Sequence, residues 1–216
     1  MTASTEGAFV SNSAYPARKI SGYNDIYPFL RKAVIPSMLP DTLTDENGTA
    51  VMKFVLGQAM NVGGIRLRQV RTNPETCKVA DMWSEKIAAC YKPYAWARFY
   101  GGTEAKGPVM PVTVPGGFDA VNTSSKVRTA WDYVTTGHPG YGGQYGSYNG
   151  AGFLLDFNQV NLSTALGMVD ELQAAEWLDR GTRAVLVEFT LYNANFNLYT
   201  IATVVVEFSV TSNVAV

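Results

Sequence analysis

Histidine and excess charge are both scarce in this chain of 216 residues, and each scarcity argues against a class of protein. A histidine-dependent triad would have to use the single histidine, His138. The formal net charge is -1, so the chain has no general electrostatic attraction to nucleic acid or acidic membranes. We therefore expect no nucleic-acid partner.

Long apolar segments are missing as well. The longest apolar run extends from Ile201 to Val206, with Thr203 inside it, and is far shorter than the roughly 20 residues of a membrane-spanning helix. The N-terminus, MTASTEGAFVSNSAYPARKI, lacks the charged start and apolar centre of a secretory signal. The sequence as written predicts neither feature.

Catalytic motifs are absent: there is no Gly-x-Ser-x-Gly, P-loop or metal-ligand spacing. The best carboxylate pair is Glu188 and Glu207, on two predicted neighbouring strands. If the turn between them centres on Asn195, the pair lies on opposite faces and roughly 16 Å apart, beyond the roughly 5 to 9.5 Å of glycosidases. We predict no enzyme, no metal and no cofactor. A carbohydrate-binding or hydrolytic domain using exposed aromatics remains a minor alternative, with Trp96, Tyr100 and Trp131 as its candidates.

What the chain does have is enough apolar content for a sizeable core, at 47% hydrophobic and 16% charged residues. The most informative segment is Trp177 to Phe208. Two strands, Ala184 to Tyr192 and Leu198 to Phe208, are rich in β-branched and aromatic residues. Asparagines suited to tight turns separate them, so the segment predicts a β-hairpin. These are Asn193, Asn195 and Asn197. With the turn at Asn195, Arg183 would face Glu207 in a cross-strand ion pair.

Helices are predicted in three places. Apolar residues from Leu162 to Leu178 recur on one face, and Asn161 is suited to cap that helix. Tyr27 to Met38 and Asp81 to Ala89 are further candidates, although Pro36 interrupts the first. Asn73, Pro74 and Glu75 would supply a cap and first turn before the last candidate. Helices between antiparallel strands predict an α+β fold, in which a sheet of about four strands carries helices on one face.

Gly137 to Gly152 holds seven glycines and three tyrosines. On composition alone the segment is typical of a flexible linker. A domain boundary there would leave two halves that are each short of core, so we interpret it as a loop of the fold. Its tyrosines either pack on their own domain, the favoured interpretation, or anchor a neighbour. They are Tyr141, Tyr145 and Tyr148.

Arginines cluster at Arg66, Arg68 and Arg71. Strand alternation places the first two on one face and Arg71 on the other. A solvated or salt-bridged strand face is favoured over a phosphate-binding role.

Two cysteines and three Asn-x-Ser/Thr sequons leave alternatives open. From the residues alone, Cys77 and Cys90 are as consistent with a disulfide as with buried thiols. The sequons predict glycosylation in loops, although Asn161 has the competing role of helix cap. They begin at Asn47, Asn122 and Asn161.

Several strings of residues occur in the order of one known family. WLDRGTRAVLVEFTLYNANFNLYTIATVVVEF (Trp177 to Phe208), IRLRQVR (Ile65 to Arg71) followed by Cys77 and Cys90, and YNGAGFLLDF (Tyr148 to Phe157) closely resemble the extracellular domain of the polycystins. The polycystins are TRP-type cation channels of cilia. The resemblance covers roughly Tyr23 to Phe208.

The resemblance implies a polycystin-like domain over residues 23–216, after a flexible segment at residues 1–22, and a disulfide between Cys77 and Cys90. It also implies structural or interface roles for residues in the matching strings. These residues are Arg66, Arg68, Trp177, Asp179, Arg180, Arg183, Tyr192, Asn193, Asn195 and Glu207.

In that family the domain is inserted between two membrane helices, so the chain is interpreted as a piece of a larger channel. The implied function is assembly and gating of a tetrameric, calcium-permeable channel at the outer face of the ciliary or plasma membrane, with the endoplasmic reticulum lumen as another location. Its partners would be further copies of the domain, a polycystin-like receptor or extracellular ciliary proteins. The alternative is a non-conducting receptor or docking module of an extracellular ciliary structure.

Overall fold

The computed structural model describes residues 16–51, 53–55, 57–72, 74–75, 79–87, 90–94, 113–114, 118–119, 125–135, 137, 140–211 and 213–216. The fold is α+β, as predicted, and is built on an antiparallel sheet. Its long strands are β2 (Ala59–Arg71), β10 (Gly152–Phe157), β11 (Thr182–Asn193) and β12 (Leu198–Phe208).

Three short strands enlarge the sheet beyond the predicted four. They are β1 (Phe54–Val55), β7 (Tyr133–Val134) and β13 (Val214–Ala215). The order is β13-β12-β11-β2-β10-β7, and β1 also pairs with β2. Three separate two-stranded ribbons are formed by β3 (Pro74–Glu75) with β4 (Cys90–Tyr91), β5 (Thr113–Val114) with β6 (Phe118–Asp119), and β8 (Tyr141–Gly142) with β9 (Ser147–Tyr148).

The predicted hairpin is confirmed as β11 and β12, but its predicted register is wrong by one residue. Ala184, not Arg183, lies opposite Glu207. The turn between Asn193 and Leu198 has an even number of residues, so it centres between two residues and not on Asn195. A shift of one position changes which side chains share a face.

Helices cover one face of the sheet. Helix α4 (Leu162–Ala174) begins at the Asn161 cap and buries Ala165, Met168, Val169 and Leu172. It ends four residues before the predicted Leu178, although Leu178 is itself buried.

The second predicted helix is confirmed in an irregular form. It consists of α1 (Ile26–Phe29), a π-helical turn (Leu30–Val34) and α2 (Ile35–Met38), and α3 (Ser125–Arg128) follows later in the chain. The π turn immediately precedes Ile35 and Pro36, where a proline ring crowds the preceding helical turn and provides no N–H. No helix in the described part of the chain is both long and apolar enough to cross a membrane.

The third predicted helix is wrong in its described part. Asp81–Trp83 is a short 3-10 turn, and Met82 is exposed. Pro74–Glu75 is a strand rather than a helix start, and it pairs with Cys90–Tyr91. Pairing between distant segments has overridden the local helical spacing.

The N-terminal boundary at Tyr23 stays a prediction. Ala17 and Ile20 precede it, and both are buried in the main core. Residues 1–15 lie outside the described residues.

Candidate functional site

The face of the sheet opposite the helices, here called the open face, carries the predicted arginines in ion pairs. Asp156, Arg66 and Glu188 lie side by side on β10, β2 and β11. Arg66 Nε donates to Asp156 Oδ1 at 2.7 Å and its Nη2 donates to Oδ2 at 2.9 Å, and this hydrogen bonding raises the Arg66 pKa. Such a two-pronged pair fixes orientation as well as charge.

Arg68 is buried on the same face. Its Nη2 donates to Glu188 Oε1 at 2.8 Å and its Nη1 to the Asn149 carbonyl at 2.7 Å. Arg71 instead pairs with Asp179, at 2.7 Å. The arginine cluster is therefore a salt-bridged strand face, the favoured interpretation, in which Arg66 and Arg68 hold neighbouring strands together.

Glu207 lies buried at the base of the long hairpin, where it holds the β8–β9 ribbon against the open face. Its carboxylate accepts hydrogen bonds from the backbone N–H groups of Gln144, at 2.6 Å, and Tyr145, at 3.1 Å. Tyr148 donates its hydroxyl to the same carboxylate at 2.8 Å. A Cβ atom at Gly143 would collide with this carboxylate, which explains a glycine there.

Tyr148 is 2% exposed, and its ring packs 5.3 Å from that of Tyr94. Burial, and then its hydrogen bond to Glu207, raise the Tyr148 pKa well above 10.0. The interpretation that the loop tyrosines pack on their own domain thus holds for Tyr148. Tyr141, by contrast, is exposed.

Arg183 is a second buried clamp, and the predicted Arg183–Glu207 pair is wrong. A β-bulge between Thr182 and Ala184 takes Arg183 out of the ladder between β2 and β11. The guanidinium instead donates to the main-chain carbonyls of Tyr91, Lys92, Arg180 and Thr182, at 2.9–3.0 Å. Burial lowers the Arg183 pKa.

The same register corrects the carboxylate geometry. Glu188 lies opposite Thr203, so Glu188 and Glu207 are four ladder positions apart, about 13 Å, and share the open face. They are still too far apart for a glycosidase pair. In the described residues, no group of His, Cys, Asp and Glu is placed to hold a metal ion.

The turn from Trp177 to Thr182 joins the helix layer to the sheet. Trp177 is fully buried, and its indole Nε1 donates to the Ala130 carbonyl at 2.9 Å. Asp179 receives the Gly181 N–H at 2.8 Å while it pairs with Arg71. Arg180 is exposed beside the Tyr91 ring.

The hairpin tip, here residues 192–201, also has hydrogen bonds between its own residues. Asn193 Oδ1 accepts the Asn195 N–H at 2.9 Å, and Tyr192 donates its hydroxyl to Asn197 Oδ1 at 3.0 Å. Asn197 has a φ of 52°, a backbone conformation that asparagine tolerates. Beyond these contacts the tip exposes large apolar side chains: Phe196, Leu198, Tyr199 and Ile201.

The remaining predicted sites have different outcomes. Cys90 is in β4, and Cys77 is outside the described residues, so the disulfide stays a prediction. Asn47 is exposed in a turn, Asn161 caps α4 through its Oδ1 at 3.0 Å from Thr164 N, and Asn122 is outside the described residues. Trp131 is buried, contrary to the carbohydrate alternative, while His138, Trp96 and Tyr100 are also outside the described residues.

Sequence reasoning missed the backbone N–H donors of Gln144 and Tyr145 because a main-chain donor leaves no signal in residue type. It also missed the exposed tip, for which a signal existed. The signal is the sequence of β12, which is apolar and uncharged from Leu198 to Val206. A strand at the edge of a sheet commonly carries charge or proline, which prevents another strand from pairing with it.

Comparison with known proteins gives a consistent result. The family model described as "Polycystin domain" matches residues 17–216. The chain is 35% identical to Polycystin-2 of Danio rerio over 153 residues, which is 69% of this chain and 15% of that protein. It is 29% identical to Polycystin-2-like protein 1 of Homo sapiens over 206 residues, which is 93% of this chain and 23% of that protein. It is also 35% identical to Polycystin-1-like protein 3 of Mus musculus, over 39% of this chain and 4% of that protein. The chain thus spans less than a quarter of the length of these relatives.

Proposed function

Because this chain belongs to the polycystin domain family, we propose that it is the extracellular domain of a polycystin-like cation channel. In this proposal, four copies assemble above a calcium-permeable pore in the ciliary or plasma membrane, and the domain holds the subunits together and takes part in gating. The family match over residues 17–216 is the observation that carries the proposal.

The structure supports a mechanical role because its polar side chains are engaged in holding segments together. Arg183 and Glu207 clamp segments distant in sequence onto one end of the long hairpin. The hairpin's other end exposes apolar side chains. A rigid two-stranded element of about 12 residues per strand spans roughly 40 Å, long enough to relate one end of a small domain to the other.

The gene product that contains this domain provides the direct test. We expect mass photometry of the membrane protein in nanodiscs to show four copies, and patch-clamp recording to show a cation current. Arg183→Ala should lower the fraction of tetramers, whereas Arg180→Ala, in the same turn but exposed, should not. A protein that carries the folded domain at the cell surface as a monomer, or without current, would contradict the channel proposal.

A non-conducting receptor is the second candidate, and one observation favours it. The match to Polycystin-1-like protein 3 shows that this type of sequence also occurs in a protein with a polycystin-1-like name. Surface expression with partner binding but no current, alone or with a channel subunit, would select this candidate.

An extracellular location also predicts glycosylation at an accessible sequon. Asn47 is exposed in a turn whose backbone N–H groups are held by Asp45 Oδ1, at 2.8–2.9 Å. We expect secreted protein to carry a glycan at Asn47, and Asn47→Gln to lose that mass with unchanged melting temperature. An unmodified Asn47 in intact-mass spectra of secreted protein would contradict this prediction.

A further inference from the structure

Strand β12 has an edge that no described strand occupies along most of its length. It pairs with β11 on one side, and on the other side its described partner is β13, at Glu207 and Phe208. Among the described residues, the edge from Leu198 to Val206 therefore has no strand partner. Nine residues of strand are about 30 Å of unpaired backbone donors and acceptors.

The sequence of this edge lacks two of the usual protections against pairing, charge and proline. The segment, LYTIATVVV, contains no charged residue and no proline. Natural edge strands commonly carry lysine, proline or a bulge that prevents another strand from adding to them. The segment instead combines β-branched and aromatic residues, which favour strand pairing. Ile201 is 81% exposed and Tyr199 is 68% exposed.

We propose that this edge pairs with the same edge of a second copy of the chain, antiparallel and centred on Ala202. Ala202 is the midpoint of Leu198 to Val206, so this register uses the whole unoccupied edge and stops before β13. The two sheets become one continuous sheet through a two-fold contact, in which the same patch is used by both copies.

The strand is complementary to itself in that register. Bulky, exposed side chains occupy its first half and β-branched side chains its second half, so the antiparallel arrangement brings each bulky residue beside a smaller one. Ile201 faces Thr203 of the other copy, Tyr199 faces Val205 and Leu198 faces Val206. All facing residues keep the same parity, so the two open faces lie on the same side of the joined sheet. No like charges meet.

The contact is separate from the ring contacts of the proposed channel. A four-fold ring uses a heterologous contact, whereas the β12 pair is isologous. The pair would therefore join copies that are not neighbours in one ring. The β12 pairing is tested by association of the isolated chain, whereas the channel proposal is tested by current and by tetramer formation. A failure of the pairing can therefore be distinguished from a failure of the channel proposal.

Sedimentation velocity tests the pairing by comparing wild-type chain with two variants that carry opposite charges at the facing positions. One variant carries Ile201→Lys and Thr203→Lys, and a second carries Ile201→Glu and Thr203→Glu. Wild-type chain should dimerise as concentration rises. Each variant alone should remain monomeric, because like charges meet twice across the two-fold axis, and an equimolar mixture should dimerise again through Lys–Glu contacts.

The controls separate pairing from folding. All the substituted positions are exposed, so both variants should keep the wild-type circular dichroism spectrum and melting temperature. Met82→Lys, at another exposed apolar residue, should dimerise like wild type. A wild-type chain that stays monomeric at its highest soluble concentration would overturn the proposal, as would a mixture that does not re-form dimers.

A cross-link tests the register in otherwise wild-type strands. Chains with Ile201→Cys and chains with Thr203→Cys should form a disulfide-linked pair when they are mixed and oxidised, and each should do so poorly alone. Equal cross-linking in the separate samples would overturn the Ala202-centred register.

Discussion

The two ends of the β11–β12 hairpin differ in side-chain chemistry and in burial. At the base, Arg183 and Glu207 are buried, and both hydrogen-bond to backbone groups of segments distant in sequence. At the tip, Phe196 and Ile201 are more than two-thirds exposed and contact little of the domain. The comparison indicates that the base stabilises the fold and that the tip is available for contacts outside it.

At the base, Arg183→Ala should cause the largest loss in the free energy of unfolding. It would remove the donor from the buried Thr182 carbonyl and from the carbonyls of Tyr91, Lys92 and Arg180, whose hydrogen bonds to Arg183 are partly buried. We expect a loss of about 2 to 4 kcal/mol in the free energy of unfolding, measured by urea denaturation. Arg180→Ala is the matched control and should change that free energy by less than about 0.5 kcal/mol. Equal losses in both variants would remove the special role of Arg183.

Glu207→Gln should have an intermediate effect. The amide keeps the shape of the carboxylate but loses the charge and presents an NH2 group toward donors, which weakens the bonds from Gln144 and Tyr145. We expect a loss of about 1 to 2 kcal/mol in the free energy of unfolding and faster hydrogen exchange at those two amides. Glu46→Gln, at an exposed position, should leave both quantities unchanged. Unchanged exchange at Gln144 and Tyr145 in Glu207→Gln would show that the carboxylate does not hold the ribbon.

Alkaline pH should also weaken the base. The folded-state Tyr148 pKa is raised above 10.0, so the folded protein keeps a proton that the unfolded chain releases. The contribution of Tyr148 to the free energy of unfolding is therefore fully present below about pH 10 and falls as the pH rises further. Thermal melting above pH 10 should show a shallower decline for Tyr148→Phe than for wild type. A steeper decline in that variant would contradict the assignment.

Substitutions at the tip should have the smallest effect on the free energy of unfolding. Phe196→Ser removes a side chain that is 71% exposed. We expect the free energy of unfolding to change by no more than about 0.5 kcal/mol. A loss of more than about 2 kcal/mol in urea denaturation would show that the tip belongs to the stabilising part of the hairpin.

The same comparison shows what sequence could predict. The strands of the hairpin were predictable because β-branched and aromatic residues fill them and asparagines separate them. The fold class followed from helices such as α4, predicted by amphipathic spacing, that lie between strands able to pair antiparallel. These signals are local, so they can be detected within a short stretch of sequence.

The arrangement of the polar clamps was not predictable, for two physical reasons. Register depends on whether the turn has an odd or even number of residues, and one residue of error gave Arg183 the wrong partner. The Glu207 site depends on main-chain N–H groups about 60 positions away, at Gln144 and Tyr145. The wrong helix at Asp81 to Ala89 has a related cause, because pairing of β3 with β4 overrides local spacing.

Hydrogen exchange across β8–β9 and β12, measured at low and high protein concentration, tests most directly whether the two ends of the hairpin differ in role. We expect the amides of Gln144 and Tyr145 to be protected equally at both concentrations, and amides on the Leu198 to Val206 edge to gain protection only at high concentration. Rapid exchange at Gln144 and Tyr145, or an edge that stays unprotected at high concentration, would contradict the division between a stabilising base and a contact-forming β12 edge that begins at the tip.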